Sequence, residues 1–191
     1  MTLPNILTLS RIILTFLFVV FISLPGIISK LIATIIFIVA AFTDFYDGHY
    51  AKKHNLVTNF GKIMDPVADK FLILTVFYIF LRMHLIALWM FVVILVREVM
   101  ITGLRVLAIT KGQVLPAEKK GKYKTSLQIL TAFIILIFIT LQETLMASQW
   151  SEGTYLYWHI GIAVLLMCTV ILTLYSGIVW LWHNKKFIYG Q

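Results

Sequence analysis

The sequence predicts an all-α integral membrane protein built from six transmembrane helices, and three observations carry that prediction. Of the 191 residues 61% are hydrophobic, with a mean hydropathy of +0.96, too apolar for a soluble domain of this size. The apolar residues gather into six segments, at about 6–24, 27–47, 58–81, 85–109, 126–145 and 155–182, each of a length suited to a hydrocarbon core about 30 Å thick. The basic residues fall mostly on alternate connections between those segments. No repeat, low-complexity stretch or linker divides the chain, so residues 1–191 read as one transmembrane domain.

Taken in order, the first segment contains a run from Ile12 to Phe21 that has the length of a signal-peptide core. No small-residue cleavage site follows Leu24-Pro25-Gly26, and further apolar segments do, so it is expected to be a retained first helix. Pro25-Gly26 separates it from the second segment, and Arg82-Met83-His84 separates the third from the fourth. The last two segments show no polar constellation, and Glu143 and Glu152 read as solvated loop charges. Trp89, Trp150, Trp158, Trp180 and Trp182 lie near segment ends, where an aromatic belt is expected. The single Cys168 excludes an internal disulfide and is expected to be a small buried residue. The five histidines are scattered without ligand spacing.

The formal charge of +8 sits mostly between apolar segments, which fits anionic headgroups and phosphorylated molecules rather than nucleic acid. Arg11, Lys52, Lys53, Lys62, Lys111, Lys119, Lys120, Lys122, Lys124, Lys185 and Lys186 fall on one side. Lys30 and Arg82 are expected in loops on the other. The positive-inside rule then places both termini and the loop after the second segment in the cytoplasm.

That loop joins the most informative stretch. Asp44 and Asp47 are three apart, Asp65 and Asp69 four apart, so on helices each pair shares one face. Both pairs lie within roughly 7–12 Å of the loop lysines at 1.5 Å per helical residue, so they reach similar depths. An aspartate at the centre of a membrane helix costs roughly 2.5–3.5 kcal/mol, and four together repel unless cations neutralise them. Lys70 offers one local partner. Two hard divalent cations, Mg²⁺ or Mn²⁺, would match the four negative charges.

The full pattern D-x2-D-G-x2-A-R-x8-G-x3-D-x3-D resembles the signature of the CDP-alcohol phosphatidyltransferases. It is matched by Asp44, Asp47, Gly48, Ala51, Gly61, Asp65 and Asp69, with Lys52 where the family usually has Arg. Lys52 supplies charge without the planar two-pronged grip of Arg. Gly48 and Ala51 keep that face shallow enough for a diphosphate to come close. Thr58, at a substrate-contacting position of the family, fits an N-cap equally well. The opening Pro4-Asn5-Ile6-Leu7-Thr8-Leu9-Ser10-Arg11 is similar to that of bacterial members, where it lies near the nucleotide site. For Thr8 and Arg11, helix capping and topology are the alternative readings.

Arg97 and Arg105 lie along one helical stripe, about 12 Å apart, and buried arginines need anionic partners. An Arg97–Glu98 pair is disfavoured because adjacent residues do not face each other on a helix. R-E-x3-T-G-L-R (97–105) followed by G-K-x-K-T (121–125) resembles the family branch whose acceptor is sn-glycerol 3-phosphate, with Glu118 in place of that branch's usual Ser.

What the resemblance implies follows from these positions. The fold would be a six-helix, homodimeric enzyme of the bacterial inner membrane with a cytoplasm-facing active-site cavity. The reaction would convert CDP-diacylglycerol and sn-glycerol 3-phosphate to phosphatidylglycerophosphate and CMP. Asp44, Asp47, Asp65 and Asp69 would hold two metal ions, with Asp69 as the base. Asn5, Thr8, Gly48, Ala51, Lys52, Thr58 and Gly61 would meet CDP-diacylglycerol, and Arg97, Arg105, Lys122 and Lys124 the acceptor phosphate. Another acceptor, inositol phosphate or serine, and an ion-coupled transporter are the competing readings.

Overall fold

A computed structural model describes the backbone of residues 3–54, 59–111, 119–144 and 150–185, and side chains of 9–43, 70–111, 123–144 and 150–185. The described residues are all-α: α1 (Leu3–Ser23), α2 (Ile27–His54), α3 (Asn59–Arg82), α4 (Leu88–Thr110), α5 (Lys119–Gln142) and α6 (Glu152–His183). Among them, Tyr123–Gln142 and Glu152–His183 are long and apolar enough to cross a membrane. At about 1.5 Å per residue, the 32 residues of α6 exceed the bilayer's hydrocarbon thickness.

The breaks between helices have local causes. Gly26 adopts φ +92°, in the left-handed region that favours glycine, and turns the chain from α1 into α2. Lys30 is not in a loop: it lies in the first turn of α2 with only 6% of its surface exposed. Its ammonium donates to the carbonyls of Ile22 (2.6 Å) and Leu24 (3.0 Å), satisfying acceptors that the end of α1 leaves open. Glu143 sits 4.0 Å from the same ammonium, so this loop carboxylate has a protein partner. At the end of α3, His84 takes φ +58°, and the Leu85 amide donates to the Phe80 carbonyl at 2.9 Å, closing the helix in the Schellman manner. Ser151 caps α6 by accepting from the Thr154 amide at 3.2 Å.

Helix α1 packs on α2 and α3, α2 on α5, α5 on α6, α6 on α4, and α4 on α3, while α3 also touches α5. The core between them is aromatic and aliphatic: Phe18 and Phe37 meet at 6.2 Å, Phe77 and Phe80 at 5.9 Å, and Ile135, Leu136 and Phe138 are fully buried. The outer faces are apolar too, with Phe16, Ile28, Ile35, Val164 and Ile178 exposed, as a hydrocarbon solvent requires. Cys168 also points outward, contrary to the expected burial, because its position on α6 falls on that outer face. Trp180 departs from the belt pattern: it is buried, whereas Trp89 and Trp182 are exposed. Trp150 and Trp158 stack at 6.5 Å beside Phe138.

Candidate active site

Helix α2 runs on to His54, seven residues beyond the apolar segment that ends at 47 in the sequence, and so carries Asp44, Asp47, Gly48, Ala51 and Lys52 on one continuous helix. Positions 44, 47, 48 and 51 then share a face by helical geometry. Helix α3 carries Gly61, Asp65 and Asp69, spaced by four, along one stripe. Asn5 and Thr8 lie in α1 and Lys122 in α5. The side chains of all these positions, and Thr58 entirely, lie outside the described residues. Among the described residues, no group of three or more His, Cys, Asp or Glu forms a metal site. The four aspartates supply only hard carboxylate oxygens, the donor chemistry that Mg²⁺ and Mn²⁺ prefer.

The described side chains reveal a second charged centre, focused on a residue for which sequence reasoning gave no role of its own. Glu98 of α4 is completely buried. Lys124 of α5, itself 1% exposed, donates to its Oε1. Gln128 Nε2 donates to the same oxygen at 3.3 Å. Lys70 of α3 lies 3.8 Å from Oε2, and Arg97 Nη1 lies 3.4 Å from both oxygens. A buried carboxylate requires this company, because an unpaired charge in low dielectric is costly. One expectation is corrected here. Arg97 does reach its neighbour Glu98, since a guanidinium on a long flexible stem spans the 100° between adjacent helical positions. Lys70 also meets Glu98; its expected pairing with an aspartate lies outside the described residues.

The arginine stripe of α4 rests on α6. Arg97 Nη2 donates to Ser176 Oγ at 3.2 Å, and a Cβ at Gly177 would come within 3.1 Å of Arg97 Cγ, so the missing side chain makes room for the arginine. Two turns along, Arg105 lies over the Trp180 ring at 5.8 Å. Helices α5 and α6 are therefore not without polar groups: Gln128 and Thr131 line one helix and Thr169, Thr173 and Ser176 the other, all buried, with Thr131 and Thr169 bonded at 2.8 Å. The i, i+4, i+7 spacing of 124, 128 and 131 was the available sequence signal. Arg97 and Lys124 are thus brought together on Glu98, while Arg105 stands apart on Trp180.

Between α3 and α4 lies a cavity of about 550 Å³. Lys70 and Glu98 border the cavity, and Phe71, Leu74, Val99, Val106 and Leu107 form its apolar walls. The surface open to it is almost wholly apolar, which suits a hydrocarbon chain better than a polar molecule.

A family model described as CDP-alcohol phosphatidyltransferase matches residues 1–181. A protein of Bacillus subtilis (strain 168) named CDP-diacylglycerol--glycerol-3-phosphate 3-phosphatidyltransferase is 40% identical over 149 residues, covering 71% of this chain and 76% of its own. A protein of the same name from Wigglesworthia glossinidia brevipalpis is 33% identical over 176 residues, 90% of this chain and 88% of its own. A probable phosphatidylglycerophosphate synthase of Mycobacterium tuberculosis (strain CDC 1551 / Oshkosh) is 31% identical over 179 residues, 92% and 78% respectively.

Proposed function

Since the chain belongs to the CDP-alcohol phosphatidyltransferase family, we propose that it transfers the phosphatidyl group of CDP-diacylglycerol to sn-glycerol 3-phosphate, releasing CMP. Family membership makes it an enzyme of a membrane family and removes the ion-coupled transporter as a competitor. The observation that carries the acceptor is the gathering of Lys70, Arg97 and Lys124 around one buried carboxylate, in a chain whose relatives are named for glycerol 3-phosphate. Serine would leave Arg97, Arg105, Lys122 and Lys124 without a phosphate to bind; an inositol phosphate would use them as well.

In the proposed mechanism, Asp44, Asp47, Asp65 and Asp69 would hold two divalent cations, whose chemistry when bound would be to offset the charge of the diphosphate and of the departing CMP. Asp69 accepts the proton of the attacking acceptor hydroxyl. Asn5, Thr8, Gly48, Ala51, Lys52, Thr58 and Gly61 line the nucleotide-lipid, and Arg97, Arg105, Lys122 and Lys124 hold the acceptor's phosphate. The single domain 1–191 spans the bacterial inner membrane six times as a homodimer. Both termini and the aspartate cavity face the cytoplasm, as the distribution of basic residues supports.

The deciding experiment is an acceptor panel with purified protein, CDP-diacylglycerol and Mg²⁺, reading CMP release. Glycerol 3-phosphate is expected to be preferred; preference for serine or inositol phosphate sinks the acceptor assignment and leaves the aspartate chemistry standing. Within that assay, neutralising Arg97, Arg105, Lys122 or Lys124 singly is expected to raise the apparent KM for glycerol 3-phosphate. The rise should be about ten- to a hundredfold, because a hydrogen bond to a charged group contributes roughly 1.5–3 kcal/mol. The apparent KM for CDP-diacylglycerol should move much less. At the other end of the site, Lys52→Arg is expected to preserve or tighten CDP-diacylglycerol binding, and Lys52→Ala to weaken it. An alanine variant with unchanged apparent affinity reduces Lys52 to a topology charge.

A further inference from the structure

We infer that Glu98 is a positioning residue for the acceptor's phosphate, holding the cations of three helices in place before the substrate arrives. This rests on the acceptor reading and extends it to a residue of the opposite charge. The carboxylate is fully buried and draws Lys70 from α3, Arg97 from its own helix α4, and Lys124 from α5. One lysine balances one buried carboxylate. Arg97 and Lys124 together already outnumber it, and Glu98 is the one carboxylate they share among the described residues.

The surrounding contacts argue for preorganisation. Gln128 holds Oε1, so the carboxylate is fixed from a second position on α5 as well. Ser176 holds Arg97 Nη2, and Arg97 Nε is buried with no acceptor among the described residues. Lys70 directly follows Asp69 in α3, so the same carboxylate also ties the acceptor's cations to the helix that carries the proposed base. Geometry fixed before binding lowers the ordering cost that a phosphate otherwise meets. Glu98 touches no reacting atom in this account; it acts through Lys124, Arg97 and Lys70.

The sign of the effect follows from burial. With Glu98 neutral, the clustered cations repel one another and lose their fixed partner. The lysines then turn away from one another, which weakens a phosphate site.

The test uses full-length protein in detergent with CDP-diacylglycerol and Mg²⁺. Glu98→Gln keeps the size and is expected to raise the apparent KM for glycerol 3-phosphate at least about tenfold, the loss of one charge-assisted contact. The apparent KM for CDP-diacylglycerol and kcat should change far less, and glycerol 3-phosphate should no longer raise the melting temperature. Glu98→Asp retains the charge one methylene short and should fall between; it also carries the test if the Gln variant does not fold. The double variant Glu98→Gln/Lys124→Met should raise acceptor KM by less than the product of the two single effects, because Glu98 acts in part through Lys124.

A folded Glu98 variant whose acceptor KM is unchanged or lower, or whose two KM values rise together, overturns the proposal. If wild type instead prefers inositol phosphate, the acceptor identity falls and the same Glu98 measurement is made with that phosphate. A wild type that prefers glycerol 3-phosphate beside an indifferent Glu98→Gln removes the positioning role alone.

Discussion

Asp65→Asn is expected to abolish CMP release at millimolar Mg²⁺, and Asp44→Asn to do the same. Each exchange keeps the side chain's size and removes one negative charge from a set of four on α2 and α3. Magnesium binds through hard anionic oxygens, and an amide oxygen does not replace the lost charge beside a diphosphate. The loss should appear in binding as well as in turnover. Titration with Mn²⁺, read by its paramagnetic signal, should show fewer or weaker bound ions in either variant. If the four carboxylates converge as proposed they repel in the absence of cations, so the metal-free variants should melt no lower than the metal-free wild type. An Asp65→Asn protein with near wild-type turnover and unchanged Mn²⁺ binding removes the metal assignment.

Asp69→Asn should lose turnover by about 10²–10⁴, the span typical of general acid–base catalysis, while CDP-diacylglycerol binding survives in part. The residue closes the aspartate motif and stands next to Lys70, whose ammonium is turned to Glu98 at 3.8 Å. The proposed base and Lys70 therefore follow one another on α3, and Lys70 links that helix to Glu98. The measurement is kcat beside the dissociation constant of CDP-diacylglycerol. If binding falls as far as rate, Asp69 acts mainly as a metal ligand, and proton removal belongs to another group.

The contrast between the two charged centres explains how much could be read before any coordinates. The aspartate motif was legible because its chemistry is local: spacings of three and four on a helix fix a shared face whatever the neighbouring helices do. The Glu98 centre was not. Its partners come from positions 70, 97, 124 and 128, and no spacing rule joins them until α3, α4 and α5 are packed. The rule that adjacent residues point apart was right for the backbone and misleading for Arg97, whose long side chain bends back to Glu98. Similarly, the last two segments show no polar constellation in the sequence, yet Thr131 and Thr169 bond across the α5–α6 seam at 2.8 Å.

By itself, the sequence determined the helical class and the near ends of the helices, because apolar length against bilayer thickness is a one-dimensional property. It also carried the aspartate spacing and the resemblance that the family match bears out. Only the tertiary structure decided which charges neutralise which. It turned Lys30 back onto the end of α1, buried Trp180 under Arg105, and gathered three cations on Glu98. The physical reason is the same in each case. In a low-dielectric interior a charge takes the nearest compensating group in space, and the packing of the helices decides which group that is.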